Sequence, residues 1–398
     1  MEVFPKLSET FILNQVTGLI DQGHEVEIFP SRKVRESKVH PKVKKYRLLS
    51  RTFSHPDLPE NKLGAKLKCI FYIFKNAGKI DVISKILSLK IPVRFRINLF
   101  FRLLPFLNRP SFDIIHCHFG TIGKIAVYGK SLDIFTGKMI LSFYGYDATR
   151  YRLDAGYYEH IIPEFDHFIT ISNYLREKII MLGFPPEKIS TIPISVNLED
   201  WYHSRISEKK PGLKLLTVAR LVEKKGIYYS IMAFSKAQAV NHGLEYHIIG
   251  DGELYNNSVE LIDELGLTDR VFLHGSRDQK EIMEFYALSD IFVLPSITAS
   301  DGNTEGQGLV LQEAQIMGLP VISTFHNGIP ESILVNQTGI LVPERDIEAL
   351  AEKIEYLVNN QLLREEMGKK GIDFVTQRFD NRKLVGKLCE TYRKVLDD

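Results

Sequence analysis

Short apolar runs that end in glycine or a polar loop alternate along this chain with amphipathic stretches of helical period. Residues 11–22 (FILNQVTGLIDQ) read as a helix closed by Gly23, and HEVEIFP as a short strand after it. The opening MEVFP reads as the tail of a first strand, as though a start lay upstream or an edge had been trimmed. FDIIHCHFG (112–120) reads as a buried-type strand ending in Gly, and GKMILSFYG (137–145) and FDHFITIS (165–172) repeat that strand-then-loop shape. NYLREKIIMLG (173–183) follows as a helix and KISTIPI (188–194) as a further strand. Residues 196–212 are polar without a clean period and read as a linker. A second series comes next: LKLLTVAR, a helix over about 226–240, LEYHIIG, a helix over about 254–265, RVFLHG, a helix over about 278–288, and DIFVLPS. After the loop SITASDGNTEGQG come the helix LVLQEAQIMG, the strands PVIST and TGILVP, and a helical tail from Ile347 to Asp398. Strands alternating with helices predict parallel sheets. The expected fold is therefore α/β, with two Rossmann-like doubly wound units spanning 1–195 and 196–375 and residues 376–398 left as a terminal helix. Ligands of such units bind at the carboxyl ends of the strands, here in the cleft between them.

The composition narrows the class. A chain of 398 residues, 44% hydrophobic and 25% charged, has the core and the surface of a two- or three-domain globular protein rather than of a disordered or fibrous one. Its three cysteines, Cys69, Cys117 and Cys389, are too far apart and too few for a disulfide framework or a zinc module. They read as reduced thiols of a cytoplasmic protein. No run approaches the roughly 18 apolar residues of a spanning helix, and no secretory signal opens the chain.

The net charge of +2 conceals a polar layout. Residues 61–109 hold eleven Lys or Arg against one acid, Asp81, and the preceding stretch from Arg32 to Arg51 is also basic. Leucine, isoleucine and phenylalanine alternate with these cations at helical spacing. Such a segment suits an anionic membrane surface, against the simpler reading of helices whose basic face is wet and whose apolar face is core. Nucleic acid is not expected, since no recognition module accompanies the basic block.

Two nucleotide fingerprints fail. Gly250-Asp251-Gly252 follows a strand but has Tyr255 where a dinucleotide fold needs its third glycine, and Gly129-Lys130-Ser131 lacks a correctly spaced phosphate-loop glycine. Glu305-Gly306-Gln307-Gly308 is more informative. It precedes a helix beginning at Leu309 and carrying Glu313. The glycines allow close backbone approach and a helix amino terminus attracts phosphate. A carboxylate at each end suits a ligand with hydroxyls on both sides of a phosphate, rather than two merely solvated glutamates. Arg220 and Lys225, after the first strand of the second unit, can neutralise a diphosphate. His118 ends a strand of the first unit, where it is either a packed residue or one that reaches the cleft. Cys117 points the other way, into the core, and His116 reads as packed.

Taken together, VARLVEKKG, IIGDGEL, DRVFLHG, DIFVLPS, EGQGLVLQEA and GIPESILVNQTGILVP resemble the retaining family-four glycosyltransferases of the GT-B fold. FPKLSETFILNQ, DIIHCHFG and SFYGYD resemble the subgroup that builds exopolysaccharides such as colanic acid. The resemblance implies transfer of a sugar from a UDP- or GDP-sugar to an acceptor hydroxyl with retention. Arg220 and Lys225 would hold the diphosphate, Glu313 the ribose, and Glu305, Gly306, Gly308 and Leu309 the donor sugar and phosphate. Gly250, Asp251 and Gly252 would lie near the nucleoside. His118 would face the sugar as a catalytic residue beside Glu305, and Ser8, Glu9, Thr10, Tyr144 and Asp147 would flank the acceptor. Tyr144 stands where the family often has His. The last helix would cross back to the first unit. No Asp-x-Asp pair appears, so no metal is required, and the acceptor would be a glycan or lipid-linked oligosaccharide at the inner face of a membrane. The alternatives are another enzyme of the same fold, such as an epimerase or phosphorylase, and a non-catalytic sugar-nucleotide-binding or scaffold subunit.

Overall fold

The computed structural model describes residues 1–398 except 2, 6–8, 34–38, 58–60, 110, 150–155, 203–211 and 241–242. In the amino-terminal half, β1 (Val3–Phe4) and β2 (Arg32–Lys33) form a parallel pair. The strands β3 (Ser111–His118), β4 (Thr136–Phe143), β5 (His167–Thr170) and β6 (Ile189–Thr191) follow in one parallel sheet, in that order. The second half contributes β7 (Leu213–Val218), β8 (Leu244–Ile249), β9 (Val271–Leu273), β10 (Ile291–Leu294), β11 (Val321–Thr324) and β12 (Gly339–Val342). These six form a second parallel sheet, ordered β12-β11-β10-β7-β8-β9. Every residue of β5, β10, β11 and β12 is buried, which is why β10 and β12 read as unbroken apolar runs and none of the four alternates apolar with charged positions.

Several helices start where a side chain satisfies one of their first N–H groups. Ser172 Oγ accepts from Leu175 N at the head of the Asn173–Met181 helix. Asp278 and Glu281 form a reciprocal capping box on the Gln279–Leu288 helix. Two sequence expectations change. HEVEIFP is not a strand: its pairing among the described residues is one bridge between Ile28 and Thr52. The stretch from 196 is not a featureless linker either. Leu198–Tyr202 is a short helix, and Val196, Leu198 and Trp201 are buried in the core of the second unit. Three apolar residues over six positions bury well but leave no period to read.

The Asn381–Asp397 helix lies against the first unit. Leu384, Val385, Leu388 and Val395 pack on Leu19, Ile140, Ile169 and Ile192. Its entry is fixed by Val196, whose N–H donates to Phe379 O at 2.9 Å and whose carbonyl accepts from Asn381 N at 3.0 Å.

The strand order of the second sheet places its site. The chain runs outward from β7 to β9, returns to lay β10 against the other side of β7, and then runs outward again to β12. The direction of winding thus reverses between β7 and β10. At such a switch point the loops from the two strands splay to opposite faces and leave a crevice at the carboxyl ends. The loop after β7 carries Arg220 and Lys225, and the loop after β10 carries Glu305.

Candidate functional site

At the crevice, the Lys225 ammonium donates directly to Glu305 Oε2. Lys224 Nζ stands 3.9 Å from the same oxygen and donates to Thr304 O at 2.9 Å. Burial alone would raise the Glu305 carboxyl, but the two ammoniums outweigh it and hold the group at about 2. Glu305 is therefore a carboxylate at any working pH. Burial lowers Lys224, and the charge of Glu305 offsets part of that. Arg220 is exposed at the mouth. Three cations and one carboxylate thus leave a net positive charge where the helix Leu309–Ile316 also presents its amino terminus. An anion is the complementary ligand.

Gly250-Asp251-Gly252 holds the Arg220 turn from below. A Cβ on Gly250, which has φ +138°, would meet Ala219 O at 1.7 Å, and one on Gly252 would meet Leu221 O at 2.4 Å. Leu221 N donates to Asp251 O at 2.9 Å. The two glycines let the backbones of these two loops touch.

The Glu305 peptide is itself anchored. Its N–H donates to Nε2 of the buried His326 at 3.0 Å, and His326 Nδ1 donates to Glu344 Oε1 at 2.6 Å. An imidazole that accepts at Nε2 carries its proton on Nδ1, so the Glu344 carboxylate sets the tautomer. Burial opposes the charge of Glu344, but the His326 hydrogen bond and the Thr298 N–H, at 2.8 Å, bring its carboxyl below the usual value.

Gly308, with φ +80°, is the amino-terminal cap of the Leu309–Ile316 helix. Gly306 meets the other unit: a Cβ there would lie 2.2 Å from Tyr144 O. The same loop is tied across by Gln307 Oε1, which accepts from Ile194 N at 2.8 Å, and by Thr304 and Thr149, whose hydroxyls are 3.0 Å apart. Glu331 reaches across as well and caps the Asn173–Met181 helix, accepting from Asn173 N and Tyr174 N, both at 2.9 Å.

Glu313 lines a pocket between the units together with Thr10, Asn14, Ser195, Gln279 and Leu309. Burial pushes its carboxyl up to about 7, even though Tyr286 Oη donates to it at 3.2 Å. A carboxylate that costs energy to ionise, and whose donor among the described residues is a single phenol, has acceptor capacity left for hydroxyls of a ligand.

On the facing side, His118 Nδ1 and Tyr144 Oη are 2.7 Å apart. Burial holds the imidazole neutral and the phenol protonated, so the two rings share one hydrogen bond whose direction follows the His118 tautomer. The ring of His118 stacks on His116 at 4.4 Å. His116 is spent on Tyr392 Oη at 2.7 Å and Ser142 Oγ at 2.6 Å. Asp147 lies beneath this surface, fully buried. Its carboxylate accepts from Gly120 N at 2.9 Å, Tyr144 N at 3.0 Å and Gly145 N at 2.8 Å. It ties the loops after β3 and β4 together, and its side chain reaches no open surface. Glu9 is half-buried at the head of the Thr10–Asp21 helix, and Ser8 lies outside the described residues. Cys117 is buried, and all three cysteines are free thiols.

The sequence reading passed over Lys224, His326, Glu344, Glu331 and Tyr286. A signal existed for two of these: His326 and Glu344 follow β11 and β12, at the same carboxyl edge as the recognised loops.

Two facing α/β units with a phosphate-type crevice at the switch point of the second define a GT-B glycosyltransferase. Residues 201–374 match the profile of glycosyl transferases group 1, and residues 8–200 match that of glycosyltransferase family 4. The chain belongs to this family. It is 36% identical to the amylovoran biosynthesis glycosyltransferase AmsK of Erwinia amylovora, over 87% of each chain. It is 32% identical to WcaL of Salmonella typhimurium, named for colanic acid biosynthesis, over 88% of this chain and 87% of that one. Among solved structures, Anabaena HepE in complex with UDP superposes with a TM-score of 0.70 at 14% identity, covering 99% of this chain and 100% of the other.

Proposed function

We propose that the protein transfers a sugar from a UDP- or GDP-sugar to a hydroxyl of a growing exopolysaccharide, with retention at the anomeric carbon. The observation that carries the reading is Glu305, buried yet ionised between Lys224 and Lys225 at the switch point. Arg220, the two lysines and the Leu309–Ile316 helix terminus face the leaving diphosphate and stabilise the charge that develops on it. When the diphosphate binds, it takes over part of the cationic field that Glu305 otherwise balances, which frees Glu305 to accept from donor-sugar hydroxyls. Glu313 accepts from the ribose. His118, neutral and in the tautomer that carries its proton on Nε2, offers that N–H to the sugar, and Tyr144 holds the ring. The anomeric carbon gains positive character as its bond to the phosphate oxygen breaks, and the acceptor oxygen attacks from the face of the departing phosphate. That phosphate takes the acceptor proton, which gives retention without an enzyme nucleophile. Closure of the units keeps water from the reaction.

The relatives named for amylovoran and colanic acid support a polysaccharide acceptor, and the UDP complex of HepE supports a uridine donor. The basic segment 61–109 supports a lipid-linked acceptor and a place at the inner membrane surface. Proton NMR of slow donor hydrolysis tests the transfer chemistry, because the first-formed sugar anomer reports stereochemistry before mutarotation. The donor configuration is expected in the product, and Arg220→Ala is expected to lose the reaction. An inverted anomer, or hydrolysis untouched in the variant, would refute the mechanism.

A further inference from the structure

The Lys62–Lys75 helix presents an apolar face that the protein leaves uncovered. Leu63, Leu67, Ile70, Phe71 and Phe74 are 50–76% exposed. At 3.6 residues per turn they fall within one sector of about 100°. The opposite side is the packed one. Cys69 is buried there, and Tyr72 sets its edge on Phe101 with ring centroids 5.8 Å apart. The solvent-side stripe is therefore not a core face that happens to be loosely packed. Monomeric proteins seldom expose contiguous apolar surface of this kind unless something binds it.

The charges say what binds. Lys66 borders one flank of the stripe and Lys75 the other, both exposed. Lys79, Lys85, Lys90 and Arg94 follow, also exposed, and Asp81 is the one acid between 61 and 109. A second copy of this face would bring like charges together. An anionic bilayer surface satisfies both the stripe and its borders. The neighbouring Val93–Leu103 helix does not share this design, because Leu99, Phe100, Phe101 and Leu103 are all buried. Most of the apolar content of that helix is core, with Val93 at its start the exposed exception, so the contiguous exposed stripe within 61–109 is that of the Lys62–Lys75 helix. No helix among the described residues is long and apolar enough to cross a membrane.

We propose that the Lys62–Lys75 helix lies in the plane of an anionic lipid surface, its five apolar side chains below the headgroups and Lys66 and Lys75 at phosphate level. The proposal deepens the membrane-side reading above and rests on it for its purpose alone. Docking of this face would hold the first unit at the bilayer that carries a lipid-linked acceptor.

Co-sedimentation of the full chain with vesicles tests it, using phosphatidylcholine alone and phosphatidylcholine mixed with phosphatidylglycerol. The wild type is expected to bind the mixed vesicles, with binding that falls as salt rises, and to leave the neutral ones. Leu67→Ser/Phe74→Ser is expected to abolish binding, and Lys66→Glu/Lys75→Glu to weaken it about tenfold or more. Both variants alter exposed positions, so their melting temperatures should match the wild type. Wild type that ignores anionic vesicles, or a serine variant that binds like wild type, would overturn the proposal. So would a wild-type dimer, seen in sedimentation velocity, that the serine variant dissolves without any lipid binding. Titration of UDP and GDP on the same preparations separates the two readings. Nucleotide binding without vesicle binding sinks the docking face alone, and vesicle binding without nucleotide binding sinks the transferase reading alone.

Discussion

Replacing Glu313 with Gln should make the protein more stable and a poorer binder of nucleotide. The Glu313 carboxyl is raised by burial to about 7, from 4.5 in an unfolded chain. A folded-state value above the unfolded one means that folding is favoured while the group is protonated. That contribution is complete below pH 4.5 and is lost as pH climbs through 7. A difference of about 2.5 units corresponds to roughly 3.4 kcal/mol. Glu313 is half-buried at the wall of the cleft, and solvent there trims the figure to about 2 kcal/mol. Gln keeps an acceptor for Tyr286 Oη and never ionises. The variant should therefore match the wild type at pH 4.5 and exceed it by about 2 kcal/mol at pH 8. Urea unfolding at the two pH values measures this, and comparing the gap between proteins at each pH cancels every other titrating group. The chain's single tryptophan is well placed to report, since Trp201 is buried with its ring edge-on to Tyr286 at 5.6 Å. Calorimetric titration with the nucleoside diphosphate should show affinity falling about tenfold, the worth of a charge-assisted hydrogen bond. A variant no more stable than wild type at pH 8, or one with full nucleotide affinity, would refute the reasoning. Either result would make Glu313 an ordinary packed acid.

Other substitutions probe the rest of the site. Lys225→Met leaves Glu305 facing Lys224 alone and should cost about 2–3 kcal/mol at pH 7. Because Glu305 is held below its unfolded value, that penalty should shrink as pH falls from 4.5 toward 2, which urea unfolding at pH 7 and pH 3 would show. His326→Ala removes the acceptor of the Glu305 N–H and should lower turnover about tenfold while leaving nucleotide affinity nearly unchanged, read as nucleoside diphosphate release against a binding titration. Gly250→Ala forces a Cβ onto Ala219 O at φ +138° and should destabilise by about 3 kcal/mol, seen as a lower melting temperature.

Much of the second unit could be read along the chain because parallel strands covered on both faces are rich in apolar residues. The expected helices near 226–240, 254–265 and 278–288 appear as Ile227–Val240, Tyr255–Glu264 and Gln279–Leu288. HEVEIFP carries strand-forming residues but finds a single bridging partner among the described residues, and pairing is a tertiary fact that local pattern does not hold. At the site, Arg220, Lys225 and Glu305 were legible because spacing puts them at strand ends. Their neighbours were not. His326 matters through one peptide N–H, and Glu331 through the end of a helix some 160 positions away in sequence. Gly306 was read as room for a ligand, and it is also room for the Tyr144 carbonyl of the facing unit. Asp147 was read as an acceptor-side group, and its carboxylate is buried against three backbone N–H groups. A lone acid in a loop looks the same in sequence whether it faces a ligand or its own backbone.

The most direct test of the central claim is a calorimetric titration of UDP and GDP onto the full chain in EDTA, beside Arg220→Ala. One nucleotide should bind the wild type saturably and the variant about tenfold more weakly or worse, with no change in melting temperature from the substitution at an exposed position. Failure of both nucleotides to bind, or equal affinity in the variant, would contradict a diphosphate site at the β7–β10 switch point.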